Sequence, residues 1–146
     1  MVNEEQIQQL IQKAKEVGKH AFVPKSGHAF GASVLTQEGE IFEGCTVESI
    51  VSGLGTCAER AAVDHAVIHG KYVFSALAVV GDTITYPCGA CLQYMAQFYQ
   101  IAEKEILVIV ADKKGKFRVH TLFELLPHAY FTSSQVGKIK EYKTKK

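Results

Sequence analysis

Two short apolar runs constrain the fold of this chain most: FSALAVVGD at residues 74–82 and EILVIVAD at 105–112. Each is continuously apolar and bounded by polar residues, the pattern of a strand covered on both faces at the centre of a parallel region of sheet. Between them lies TYPCGACLQYMAQFY (85–99), which begins as a turn and continues with Leu92, Met95, Ala96 and Tyr99 on one helical face. The rest of the chain extends this alternation. Residues 3–18 place Ile7, Leu10, Ile11, Ala14 and Val17 on one stripe, an amphipathic helix that Gly18 would end. VPKSGHAFG is a loop rich in turn residues. GASVLT (31–36) and EIFEGCTVE (40–48) read as strands joined through Gln37-Glu38-Gly39. Residues 57–69 look helical, GKFRVHT (115–121) is a further strand, and LFELLP (122–127) is a short helix stopped by Pro127. The order α-β-β-α-β-α-β-β-α predicts an α/β fold, a mixed sheet with helices on its faces.

With 146 residues the chain suits one domain, set here at 1–136, and the last ten residues, GKIKEYKTKK (137–146), read as a solvated basic tail. The formal net charge of +1 gives no overall attraction to a nucleic acid polymer or a membrane surface. The apolar runs are too short to span a bilayer. The acidic, polar start MVNEEQIQQLIQ is unlike a secretory or transit signal, so a cytoplasmic location is expected. In that compartment the four cysteines, Cys45, Cys57, Cys88 and Cys91, are not expected to form disulfides. The Cys88-x-x-Cys91 pair leaves a metal site or redox chemistry open, and Cys45 reads as a packed thiol.

Cys57, Cys88 and Cys91 each stand at or near the start of a predicted helix, where free N–H groups and positive potential favour thiolate. Three thiolates suit Zn²⁺, leaving a net charge of −1 that the neighbouring Arg60 offsets. His65 and His69 lie ~12 and ~18 Å further along the Cys57 helix, too far to share its metal. Cys45, His20, His28 and His128 remain open as a fourth ligand. Glu59 argues instead for a fourth position free for water, because a carboxylate in a buried-looking helix needs a partner or a task. Residues two apart on a regular helix do not share a face. Glu59 therefore has to reach the metal through irregular geometry at the first turn.

Cys57-Ala58-Glu59 and Pro87-Cys88-Gly89-Ala90-Cys91, together at two helix starts, resemble the zinc-dependent cytidine deaminase superfamily in its short, three-cysteine form. The resemblance runs from about Ile7 to about Tyr130 and includes VPKSGHAFGASVLT, GCTVES, TCAERAA, ALAVVGD, YPCGACLQ and ELLPHAY. It implies a three-layer α/β/α sandwich around a mixed five-stranded sheet, a homotetramer, and a role in pyrimidine salvage. It also implies hydrolysis of cytidine or deoxycytidine to uridine or deoxyuridine and ammonia. Zinc would activate a water and Glu59 would carry protons to N3 and to the leaving amine. By the same resemblance His28 faces the base, Thr46 and Glu48 the sugar, and Ala58 the substrate. Tyr130, with Phe131 beside it, completes a neighbouring subunit's pocket.

The pocket residues depart from that family in places. Thr46-Val47-Glu48 stands for the usual Asn-x-Glu, so one hydroxyl replaces an amide with two donors and an acceptor. His28 stands for Phe, Tyr130 for Phe, and Leu92 for the Arg after the second Cys. Ser49-Ile50-Val51-Ser52 replaces smaller residues and Tyr, and adds bulk to the expected pocket. A deaminase of a modified cytosine compound such as blasticidin S is one alternative. A non-catalytic, zinc-stabilised binding protein is another, although such a protein needs only the cysteines and not Glu59. A polynucleotide substrate finds no support, because the chain has neither a large basic surface nor an inserted aromatic segment.

Overall fold

A computed structural model describes residues 1–145. Its elements in order are α1 (Glu4–Val17), β1 (Gly31–Thr36), β2 (Ile41–Cys45), α2 (Ala58–Ile68), β3 (Phe74–Gly81), α3 (Gly89–Ala102), β4 (Leu107–Asp112), β5 (Phe117–Thr121), α4 (Leu122–Leu125) and α5 (Val136–Lys140). Among the described residues no helix is long and apolar enough to cross a membrane.

The five strands form one mixed sheet in the order β2-β1-β3-β4-β5. The two continuously apolar runs become β3 and β4, which pair in parallel at its centre, while every other pairing is antiparallel. Alternation along β3 then divides the core. Leu77 and Val79 face α2 and α3, whereas Ala76, Ala78 and Val80 face α1 with its Ile7, Leu10, Ile11 and Ala14. The sheet is thus covered on both faces, giving the three-layer α/β/α sandwich.

Small residues bring the layers close. On β1, a Cβ at Gly31 would run into the Ala14 carbonyl of α1. Ser33 Oγ donates to Leu10 O at 2.7 Å, satisfying its buried hydroxyl. On the other face, a Cβ at Gly44 would collide with the backbone of Ala61 and Ala62, so β2 lies directly against the first turns of α2. α1 opens with a capping box between Asn3 and Gln6. Gly18 ends α1 as expected, but in a right-handed conformation (φ −58°) rather than a left-handed cap. Its reason is space, since a Cβ there would stand 3.1 Å from Gly31 N.

Two expectations change. The strand expected over 40–48 stops at Cys45, where Thr46 N–H donates to Phe30 O (3.1 Å) and Val47 pairs with Thr56, turning the chain into a loop. The tail is not simply solvated: α5 and a following turn of 3₁₀-helix, Glu141–Lys143, pack on α3. Ile139 and Tyr142, three residues apart, give the basic run one apolar face. They line a groove of about 310 Å³ with Val67, Tyr72, Phe98 and Ile101, and the Tyr72 and Tyr142 rings meet edge to face at 5.0 Å. Lys146, the last residue of that tail, lies outside the described residues.

Candidate metal centre and active site

Two helix starts converge at the α2/α3 face of the sheet. Cys57 is the N-cap of α2 and Cys88 the N-cap of α3, both with extended backbone (φ −70°, ψ 151° and φ −68°, ψ 162°). Cys91 lies one turn into α3 and is 1% exposed. The three Sγ atoms lie within 4.8 Å of one another, with Cys88 and Cys91 3.3 Å apart. Sulfurs bound at ~2.3 Å to one tetrahedral zinc sit ~3.8 Å from each other, so this donor set fits the ion.

The electrostatics point the same way. Burial, followed by the Glu59 carboxylate, pushes the Cys91 thiol well above its ordinary range. Burial also acts on Cys88, but hydrogen bonds from the start of α3 outweigh it and lower the thiol. Three sulfurs this close become thiolates together only with a cation among them. Arg60 Nη2 lies 3.8 Å from Cys57 Sγ, and that contact raises the guanidinium pKa further. Arg60 Nε is buried without a hydrogen-bond partner, so the group is held beside the sulfurs at a cost.

Glu59 is only 6% exposed. Burial raises its carboxyl above the usual carboxylate range, partly opposed by hydrogen bonds and Arg60. The separation of two from Cys57 is no obstacle. Cys57 lies outside the helix proper, and its extended backbone frees its side chain from the helical spacing that would otherwise part it from Glu59.

Both residues line a pocket of about 340 Å³. Cys57, Ala58, Glu59 and Cys88 line it beside the sulfurs, with Tyr86 two residues before Cys88 in the chain, and Ser26, His28, Phe30, Thr46, Glu48, Val79 and Thr85 complete the lining. Glu48 accepts from Lys25 N (2.9 Å) and Ser26 N (3.1 Å) on one oxygen and from Ser26 Oγ (2.6 Å) on the other. These bonds, Ser26 foremost, hold its pKa low and fasten the loop that carries His28. Thr46 Oγ1 lies 3.4 Å from Phe30 O, to which it donates.

Of the residues expected at the site, the structure brings together Cys57, Cys88, Cys91, Glu59, Arg60, Ala58, His28, Thr46 and Glu48. Tyr130 is not in the pocket of its own chain. It is 75% exposed, and its backbone is clamped by the Gln93 side chain through bonds of 2.7 and 2.9 Å. Ile50 and Val51 are exposed and leave their own chain's pocket unfilled, contrary to the bulk expected there. Leu92 is buried in the core instead of bearing a charge. His65 and His69 bond to Glu43 O and His65 O, and so turn toward β2 and their own helix rather than the sulfurs. Ser26, Phe30, Thr85 and Tyr86 are pocket residues that sequence reasoning missed. Only Tyr86 carried a signal, standing directly before Pro87-Cys88.

Residues 4–108 match the family described as the cytidine and deoxycytidylate deaminase zinc-binding region. The chain therefore belongs to this family of zinc-dependent hydrolases, and zinc is its cofactor. A cytidine deaminase of Sporosarcina psychrophila is 37% identical over 126 residues, 85% of this chain and 90% of that one. The crystal structure of a cytidine deaminase from Burkholderia pseudomallei superposes with a TM-score of 0.76 at 36% identity, covering 84% of this chain and 98% of that one. A blasticidin-S deaminase of Bacillus cereus is 26% identical over 113 residues, 70% of this chain and 77% of that one.

Proposed function

We propose that the chain hydrolyses the 4-amino group of cytidine or deoxycytidine, consuming one water and releasing uridine or deoxyuridine and one ammonia. The observation that carries this is a buried carboxylate, Glu59, in the wall of a pocket beside three clustered sulfurs. A structural zinc site has no use for such a group.

Cys57, Cys88 and Cys91 would hold zinc. When bound, zinc lowers the pKa of a water and so supplies a nucleophile at neutral pH. Glu59, with its carboxyl raised by burial, would take one proton from the water and deliver it to N3 as C4 is attacked, then take the remaining proton from the new C4 hydroxyl and pass it to the amino nitrogen as the C4–N bond breaks. Arg60 balances the thiolate charge from beside Cys57. Ala58 opens α2, where a backbone N–H has no helical acceptor and is free to meet the substrate. His28 offers a ring face to the base. Glu48 keeps unused acceptor capacity for a sugar hydroxyl after its three bonds to residues 25 and 26.

A homotetramer accounts for the remaining surface. Ile50, Leu54, Tyr130 and Phe131 are all exposed, and large apolar groups left out in number mark an interface. Tyr130, fixed by its backbone and projecting outward, would complete a neighbouring subunit's pocket. A cytoplasmic place in pyrimidine salvage belongs to the same reading.

Thr46 favours a second reading. Its single hydroxyl, 3.4 Å from Phe30 O, stands where an Asn would bring two donors and an acceptor. A modified cytosine compound such as blasticidin S would lose less by this than a nucleoside. The test is ammonia release from cytidine, deoxycytidine, cytosine and blasticidin S, with and without prior chelation. Turnover of cytidine that is lost on chelation and restored by zinc is expected, and turnover of blasticidin S alone favours the second reading. Thr46→Asn should then raise kcat/KM for cytidine about two- to tenfold, the worth of one hydrogen bond.

A further inference from the structure

Tyr86 is a pocket wall that the chemistry above leaves without a role. Its hydroxyl lies 3.2 Å from His120 Nε2 on β5, and the two rings lean together with centroids 5.4 Å apart. His120 Nδ1 lies 3.4 Å from Glu124 Oε2. Glu124 is fixed in turn, accepting from Thr121 Oγ1 on Oε1 and donating its N–H to the same hydroxyl, both at 3.2 Å. A tyrosine that is 40% exposed is therefore held through a chain of three side chains that ends in a helix cap. Its ring stands between the pocket and an adjoining cleft of about 400 Å³ lined by Asp82, Asp112, Lys114, Lys116 and Arg118.

The reaction fixes which part of the substrate meets this wall. C4 must lie where Cys57, Glu59 and Cys88 meet the pocket, and Tyr86 lines the same pocket only two residues before Cys88. With its amino group departing, C4 leaves C5 as the neighbouring position that keeps a substituent throughout. We propose that Tyr86 is a specificity-determining residue that limits the size of the group carried at C5 of the pyrimidine, and that His120 is the positioning residue that holds it. This rests on the deaminase reading. Because the Tyr86 hydroxyl is taken up by His120, the wall acts by shape and not by hydrogen bonding, so it rejects bulk by overpacking.

The experiment compares kcat/KM for 5-iodocytidine with that for cytidine in the zinc-loaded wild type, Tyr86→Ala, Tyr86→Phe, His120→Ala and the Tyr86→Phe/His120→Ala pair. The electronic effect of iodine is common to every variant and cancels between them. Tyr86→Ala should raise the ratio about tenfold, the usual scale for steric discrimination in a pocket. Tyr86→Phe and His120→Ala should each raise it about twofold and the pair no further, because both remove one bond. An unmoved ratio in a zinc-replete Tyr86→Ala protein that still deaminates cytidine overturns the wall. Independent addition of the two smaller changes overturns the positioning role. A wild type that deaminates neither compound contradicts the deaminase reading itself, and the wall falls with it.

Discussion

Arg60 shows how a single side chain is fixed by its neighbours' charge. Its Nη2 points at Cys57 Sγ while its Nε is buried and unpartnered, a cost that makes sense beside sulfurs carrying net negative charge around a metal. Arg60→Gln removes that charge and keeps most of the volume. It is expected to lower zinc affinity or turnover about 10- to 100-fold, the scale of a lost partner to a metal ligand, measured by metal competition and initial rates. At this scale the three clustered sulfurs and the buried carboxylate were legible because residue type and helix position alone single them out. The pocket's other walls were not. Ser26, Phe30 and Tyr86 come from loops and a strand end whose meeting depends on the folded backbone, and nothing in their local spacing announces it. Ile50 and Val51 misled for the same reason, since the loop after β2 carries them out to solvent.

Elements place the site by approaching one another closely. β2 meets the first turns of α2 at Gly44, where any side chain would strike the backbone of Ala61 and Ala62. Gly44→Ala is expected to destabilise the fold by about 1–3 kcal/mol or more, seen as a lowered Tm, and to weaken zinc retention because the same turn of α2 begins at Cys57. The loop between α1 and β1 depends instead on Glu48 and Ser26. Ser26→Ala removes the 2.6 Å bond to Glu48 Oε2 and the 3.0 Å bond from His28 N and should raise KM for cytidine about two- to tenfold with little change in kcat, the net worth of a hydrogen bond at an exposed site. The sheet's parallel centre, the hairpin and the three main helices were legible because apolar continuity and period are direct consequences of burial. The docking of α5 was not, since two apolar residues, Ile139 and Tyr142, in a run of lysines carry too little periodicity to stand out from a solvated tail.

The whole molecule presents exposed apolar groups on the loop after β2 and on the segment holding Tyr130 and Phe131, which is why we propose assembly into a tetramer. Light scattering after size exclusion is expected to give four times the 16.0 kDa chain mass. Tyr130→Ala should raise KM without loss of zinc, and a fully active monomer would sink this part of the account. Assembly and substrate handling, however, are secondary to the central claim that a buried acid works beside a sulfur-held zinc. The most direct measurement is the turnover of cytidine by Glu59→Gln at a zinc content equal to that of the wild type. Glu59→Gln is expected to keep its metal and lose about 10²- to 10⁴-fold in kcat, the worth of a positioned proton carrier. A zinc-replete Glu59→Gln protein that turns over cytidine within about threefold of the wild type would contradict that claim.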